Sequence, residues 1–220
     1  MLNPPVTGPP DSAGRLRGAR RILVVGCPGA GKTTFAVRLA TVRGLPVHHL
    51  DDLYFTAGWT PRPKGEWHAT LDALCATSEW IIDGNHLSTL ARRLPHCDAV
   101  VVLDRAPPLC LASYLLRMLR YARAPLGVLP HFMRRPDGRR AVADRPLVFA
   151  RFILTFRRHQ LPSVLGELAA RPELPVVRLR THADARAVLD RLSARPGTRA
   201  RPGPRDSDVR RTRPGRDTSC

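Results

Sequence analysis

The eight residues Gly26-Cys27-Pro28-Gly29-Ala30-Gly31-Lys32-Thr33 constrain this chain more than any other segment, because they join two periodic stretches through GxxxxGK[ST] spacing. Before them, Ile22-Leu23-Val24-Val25 reads as a buried strand; after them, Thr34 to Ala40 carries apolar residues at helical spacing. Glycines in such a turn let the backbone wrap closely around a polyphosphate, so that successive N–H groups and the positive end of the helix converge on its charge. Lys32 then reaches the β- and γ-phosphates, and Thr33 offers its hydroxyl to Mg²⁺, an ion that takes few protein ligands. Gly26 to Thr34 is thus the candidate nucleotide-binding turn, with ATP and Mg²⁺ as the implied ligands. Of 36 basic residues only Lys32 and Lys64 are lysine, so the chain departs from its arginine habit where a compact ammonium suits the phosphates.

Further strands are expected over Leu45–Leu50, Trp80–Ile82, Ala99–Leu103 and Val176–Leu179. Helical patterns cover Glu66 to Thr77, Leu109 to Tyr121 and about Ala183 to Leu192, and a long helix begins near Pro146, with Phe149, Phe152, Ile153 and Phe156 facing the core and a break at Pro162. Short strands alternating with helices predict an α/β fold: a five-stranded parallel doubly wound sheet, whose ligands bind beyond the carboxyl ends of the strands. At 220 residues and 43% hydrophobic composition the chain can bury one core. One domain over 20–194 is expected, flanked by disordered segments at 1–19 and 195–220. Without a secretory signal or a membrane-spanning run, a cytoplasmic location and no membrane partner are expected. The five cysteines lack CxxC pairing, which argues against a zinc site or a disulfide framework.

The net charge of +18 is unevenly placed: +2 over 1–20, zero over 21–104, +10 over 105–158, +1 over 159–194 and +5 over 195–220. An anion is expected at the +10 segment. Within it, 124–144 is broken by Pro125, Gly127, Pro130, Pro136 and Gly138 and is a candidate arginine-rich lid. Arg117 and Arg120, three apart on the preceding helix, are candidates to clamp the donor phosphates. Two or three phosphate ligands are expected among these and Arg134, Arg135, Arg139, Arg140, Arg151, Arg157 and Arg158.

Acids close the strands. Asp83 and Asp104 compete for the carboxylate that orients Mg²⁺ or its waters, and the pattern alone does not separate them. Asp51 and Asp52 can orient or deprotonate an acceptor hydroxyl. Trp59 and Trp67 flank Lys64 and are read as packing groups, and the histidines show no metal spacing.

The segments "VVGCPGAGKTTFA", "HLDDLYFTAGW", "EWIIDGNH" and "DAVVVLDRAPPLCL", in this order and spacing, resemble the adenylate-kinase-like proteins called DNA topology modulation proteins. The resemblance runs from about Arg21 to Leu192 and implies the fold of P-loop nucleoside and nucleotide kinases. It makes Asp83 the metal-side carboxylate, sets Asp51 towards the acceptor with Asn85 beside it, and gives Asp104 a structural role. Ser113 stands where relatives carry an arginine, a role that Arg117 and Arg120 are expected to assume. The implied activity is an ATP-dependent phosphotransferase with a small-molecule or nucleotide acceptor; no NKxD motif points to a GTPase. The alternative is a nucleic-acid-associated or regulatory ATPase, favoured by the basic segment and by a tail able to bind nucleic acid without specificity.

Overall fold

The structure is a computed structural model that describes residues 9–141 and 146–194. In chain order the strands are β1 (Arg21–Gly26), β2 (Val47–His49), β3 (Phe55–Thr56), β4 (Thr60–Pro61), β5 (Trp80–Asp83), β6 (Ala99–Leu103) and β7 (Val176–Leu179). The helices are α1 (Pro9–Arg17), α2 (Lys32–Arg43), α3 (Leu50–Tyr54), α4 (Lys64–Cys75), α5 (Leu90–Arg93), α6 (Pro107–Arg123), α7 (Pro146–His159), α8 (Leu161–Ala169) and α9 (His182–Ser193).

Five strands form one parallel sheet in the order β2-β5-β1-β6-β7, the α/β architecture expected, and β3 and β4 form a separate antiparallel hairpin. The central strands β1, β5 and β6 are apolar at nearly every position because both faces are covered, so their side chains cannot alternate with water. Helices α1, α2 and α9 pack together, as do α6, α7 and α8. Leu39, Val188, Ile153 and Leu168 join the strand side chains in a single core. Pro162 follows a break between α7 and α8, where a proline sits comfortably in a first turn.

The structure corrects two expectations and adds detail to a third. Pro9–Arg17 is a helix rather than part of a disordered extension; Ala13 and Leu16 are buried, and Arg43 donates to the carbonyls of Leu16 and Ala19 at 2.5 and 3.1 Å. The second strand is only Val47–His49, because Leu50 turns into α3 and is itself fully buried. The segment expected as a loop-like lid has two short 3₁₀ turns, Leu126–Val128 and His131–Met133, and a small core of Leu129, Phe132 and Met133 against Phe55, Trp59 and Tyr121. The expected tail, 195–220, and residues 142–144 of the lid candidate lie outside the described residues.

Candidate functional site

β1 lies at the centre of the sheet and delivers Gly26 to its carboxyl edge. The turn that follows is threaded against backbone. A Cβ on Gly26 would stand 2.3 Å from the Leu103 carbonyl oxygen, and one on Gly29 would stand 2.1 Å from that of Cys110. Both glycines have positive φ, so the path is open to glycine alone. Gly31 precedes the first turn of α2 without a side-chain cap, leaving that turn's amides open to an anion. The Cys27 thiol is buried and donates to the Ile153 carbonyl at 3.6 Å, and the neighbouring Cys110 together with burial pushes its pKa up and keeps it protonated.

Lys32 folds back over the turn, donating from Nζ to the carbonyls of Gly26 and Cys27 at 2.9 and 3.2 Å. Burial lowers its pKa against the opposing pull of Asp83 and Asp51. Thr33 Oγ1 donates to Asp83 Oδ2 at 2.7 Å. Asp83 is 5% exposed, accepts a second bond at the same oxygen from His49 Nδ1 at 3.0 Å, and has no partner at all for its buried Oδ1. An unsatisfied carboxylate oxygen beside a threonine hydroxyl at the end of the glycine-rich turn fits a hard divalent cation that prefers oxygen ligands. Among the described residues no group of three or more His, Cys, Asp or Glu side chains could hold a metal, so such an ion would draw its remaining ligands from phosphate and water. The bond to Asp83 holds the His49 pKa above its usual value.

Asp104, the rival carboxylate, lies on the far side of β1. Itself buried, it is held by Arg157 Nε at 2.9 Å on one oxygen and Arg178 Nε at 3.0 Å on the other, so that neither oxygen is free. Register explains the division: β5 pairs with β1 so that Val24 faces Asp83, whereas Asp104 follows β6 and meets α7 and β7.

The loop after β5 ties both halves of the site together. Asn85 Oδ1 accepts from the Gly26 amide at 2.9 Å, and His86 Nε2 stands 3.3 Å from Asp51 Oδ1. His86 has φ 32°, a left-handed conformation for a non-glycine residue, and its ring packs against Tyr54 and Trp67. Beneath it, fully buried Arg93 donates to the carbonyls of Gly84, Asn85, His86 and Thr89, and burial lowers its pKa to about 10. Desolvation alone would raise the pKa of Asp51, but His86, Lys32 and Arg117 outweigh it, so Asp51 titrates below the ordinary carboxylate value.

Of the other candidates, Thr34 is exposed on the first turn of α2. Arg117, exposed on α6 with its guanidinium 5.9 Å over the Tyr114 ring, acts electrostatically on both Lys32 and Asp51. Arg120 is exposed further along α6 and makes no hydrogen bond or ion pair among the described residues. Arg105 donates to Ser113 Oγ at 2.8 Å. Two lid arginines are committed elsewhere: Arg134 donates to the carbonyls of Gly127 and Leu129, and Arg140 to those of Tyr121 and Ala124. They fasten their own segment, which corrects their candidacy as phosphate ligands. Trp59 and Trp67 pack, the first on Phe55 and Phe132, the second on Tyr54 and His86. Sequence reasoning passed over His49, His86 and Arg93. The two histidines carried a signal, since each lies within three residues of a strand-end acid; Arg93 carried none.

No protein-family model matches the chain, and no curated protein matches it, so the family resemblance rests on the quoted motifs. Among solved structures, shikimate kinase from Acinetobacter baumannii in complex with shikimate is similar at 20% identity and a TM-score of 0.48, over 82% of this chain and 94% of that one. Shikimate kinase from Bacteroides thetaiotaomicron is similar at 16% identity and a TM-score of 0.48, over 80% of this chain and 97% of that one. By its own strand order and its GxxxxGKT turn, the chain is a P-loop α/β protein.

Proposed function

We propose that this chain is a Mg·ATP-dependent phosphotransferase acting on a small hydroxylated acceptor. The observation that carries the reading is the 2.7 Å contact of Thr33, the last residue of the glycine-rich turn, with Asp83, whose second oxygen is buried without a partner. Thr33 and Asp83 would hold Mg²⁺, which would supply positive charge to offset that of the donor's phosphates.

The chain's own groups supply the rest. The open amides of the turn and of α2 bind the β-phosphate, and Lys32 exchanges the carbonyls of Gly26 and Cys27 for the transferring phosphoryl group. Asp51, ionised at neutral pH, accepts the hydroxyl proton of the acceptor as its oxygen bonds to the γ-phosphorus and the bond to the bridging oxygen of ADP breaks. His86 holds Asp51 in place, and Arg117 faces the charge that develops between the two substrates. The hairpin β3–β4 and the 124–141 segment, joined by His131 Nε2 donating to the Phe55 carbonyl at 2.9 Å, form the acceptor-side wall.

The test is Mg-dependent ATP binding by titration, followed by a phosphotransfer screen over nucleosides, nucleotides, sugars and hydroxy acids, shikimate included. Lys32→Ala should abolish ATP binding, and at least one acceptor should be phosphorylated by the wild type. ATP binding that does not depend on Mg²⁺ would overturn the metal assignment; hydrolysis with transfer to no acceptor would favour an ATPase.

A further inference from the structure

Nine of the ten large hydrophobic side chains exposed among the described residues fall between Leu109 and Leu154; only Val37 lies elsewhere. They share that stretch with the arginines, and they are ordered. On α6, Leu116, Leu119, Arg120 and Arg123 follow i, i+3, i+4, i+7, and on α7, Leu147, Arg151, Leu154 and Arg158 follow i, i+4, i+7, i+11, all of them exposed. Leu116 is 56% exposed and Leu147 84%. The two helices pack on one another, and neither contains an aspartate or glutamate. Between Arg105 and Ala141 the one acid is Asp137, which faces Arg135 at 3.8 Å.

We infer that the exposed faces of α6 and α7 dock this protein in the plane of an anionic lipid surface. Charge and composition select the occupant. A second copy would bring the same acid-free, positive face, and like charges would oppose the pairing. The chain's own segment 195–220 is also positive and holds Val209 as its one large aliphatic residue, so it can cover neither the charge nor the leucines. Nucleic acid would satisfy the arginines and leave the leucines in water. An anionic bilayer offers negative headgroups above hydrocarbon, matching leucines flanked by arginines whose stems lie along apolar surface while their heads stay wet. Among the described residues no helix is long and apolar enough to cross a membrane, and in-plane docking needs none. The expectation of no membrane partner rested on the lack of a secretory signal and of a spanning run, and neither bears on in-plane docking.

The experiment is co-sedimentation of the full-length protein with vesicles of phosphatidylcholine alone or mixed with phosphatidylglycerol. The protein should bind the mixed vesicles only, less as salt rises. Replacing Leu116, Leu119 and Leu154 together by Gln should weaken partition by about tenfold or more, at unchanged melting temperature and ATP affinity. Arg123→Gln with Arg151→Gln and Arg158→Gln should weaken it too, and Val37→Gln should not. Vesicle binding that survives the leucine replacement would reduce the face to a polyanion attractor and overturn the inference, as would absence of binding to mixed vesicles. An oligomer that the leucine replacement dissociates in sedimentation velocity would assign the face to a second copy instead.

Discussion

His86 shows how one residue can couple two halves of a site. Its left-handed backbone, sparsely populated for a residue with a Cβ, is a local cost that the Asp51 contact and the aromatic packing offset. His86→Ala removes a group that lowers the Asp51 pKa, so that pKa rises and the carboxylate is protonated at higher pH. The acid limb of the kcat/KM profile should therefore move up in pH, with kcat down by about tenfold where Asp51 acts as base. An unmoved acid limb would remove Asp51 from that role.

At the scale of the element, one buried side chain gathers the carbonyls of the loop from Gly84 to Thr89. Arg93 is buried without a carboxylate partner, and its charge is met by backbone carbonyls alone, so the loop and the arginine fold as a unit. Arg93→Met removes the side-chain donor to the Gly84, Asn85 and Thr89 carbonyls, while that of His86 keeps Thr89. It should cost about 3 kcal/mol or more in urea unfolding and lower ATP affinity through the lost Asn85 tether to Gly26. Retained stability would show that the loop's order arises from its own turn. Elements also divide what was legible in the sequence from what was not. The central strands were readable because burial on both faces writes continuous apolar runs, as in Val100-Val101-Val102. The β3–β4 hairpin and the small core around Phe132 were not, since each is two or three residues long and exists by packing on the other.

The whole molecule depends on contacts between distant segments. Asp98, just before β6, accepts from the amides of Arg20 and Arg21 at 3.0 and 2.9 Å and from the Arg21 guanidinium, aligning the starts of two neighbouring strands. Burial would raise its pKa, but these bonds outweigh burial and hold it below the ordinary carboxylate value. A depressed folded-state pKa stabilises above the unfolded value of about 3.9 and loses that contribution as pH falls through the folded value. Asp98→Asn should therefore lower stability at neutral pH by about 1–2 kcal/mol, and flatten the further loss seen below about pH 4 in acid titrations of the melting temperature. An unchanged acid slope would assign the acid sensitivity to other carboxylates.

The amino-acid sequence by itself determined the glycine-rich turn, its flanking strand and helix, and the parallel α/β class. These depend on local spacing: a motif of eight residues, a two-residue or 3.6-residue period, a strand closed by an acid. It did not determine, from its residues alone, which acid meets Thr33, because Asp83 and Asp104 end similar apolar strands. Strand order decided that: β5 lies on one side of β1 and β6 on the other, so one carboxylate meets the hydroxyl and the other is consumed by two arginines. Tertiary structure likewise made α1 a docked helix and bound Arg134 and Arg140 to their own segment, because a side chain's partner is set by three-dimensional neighbours that spacing along the chain does not encode.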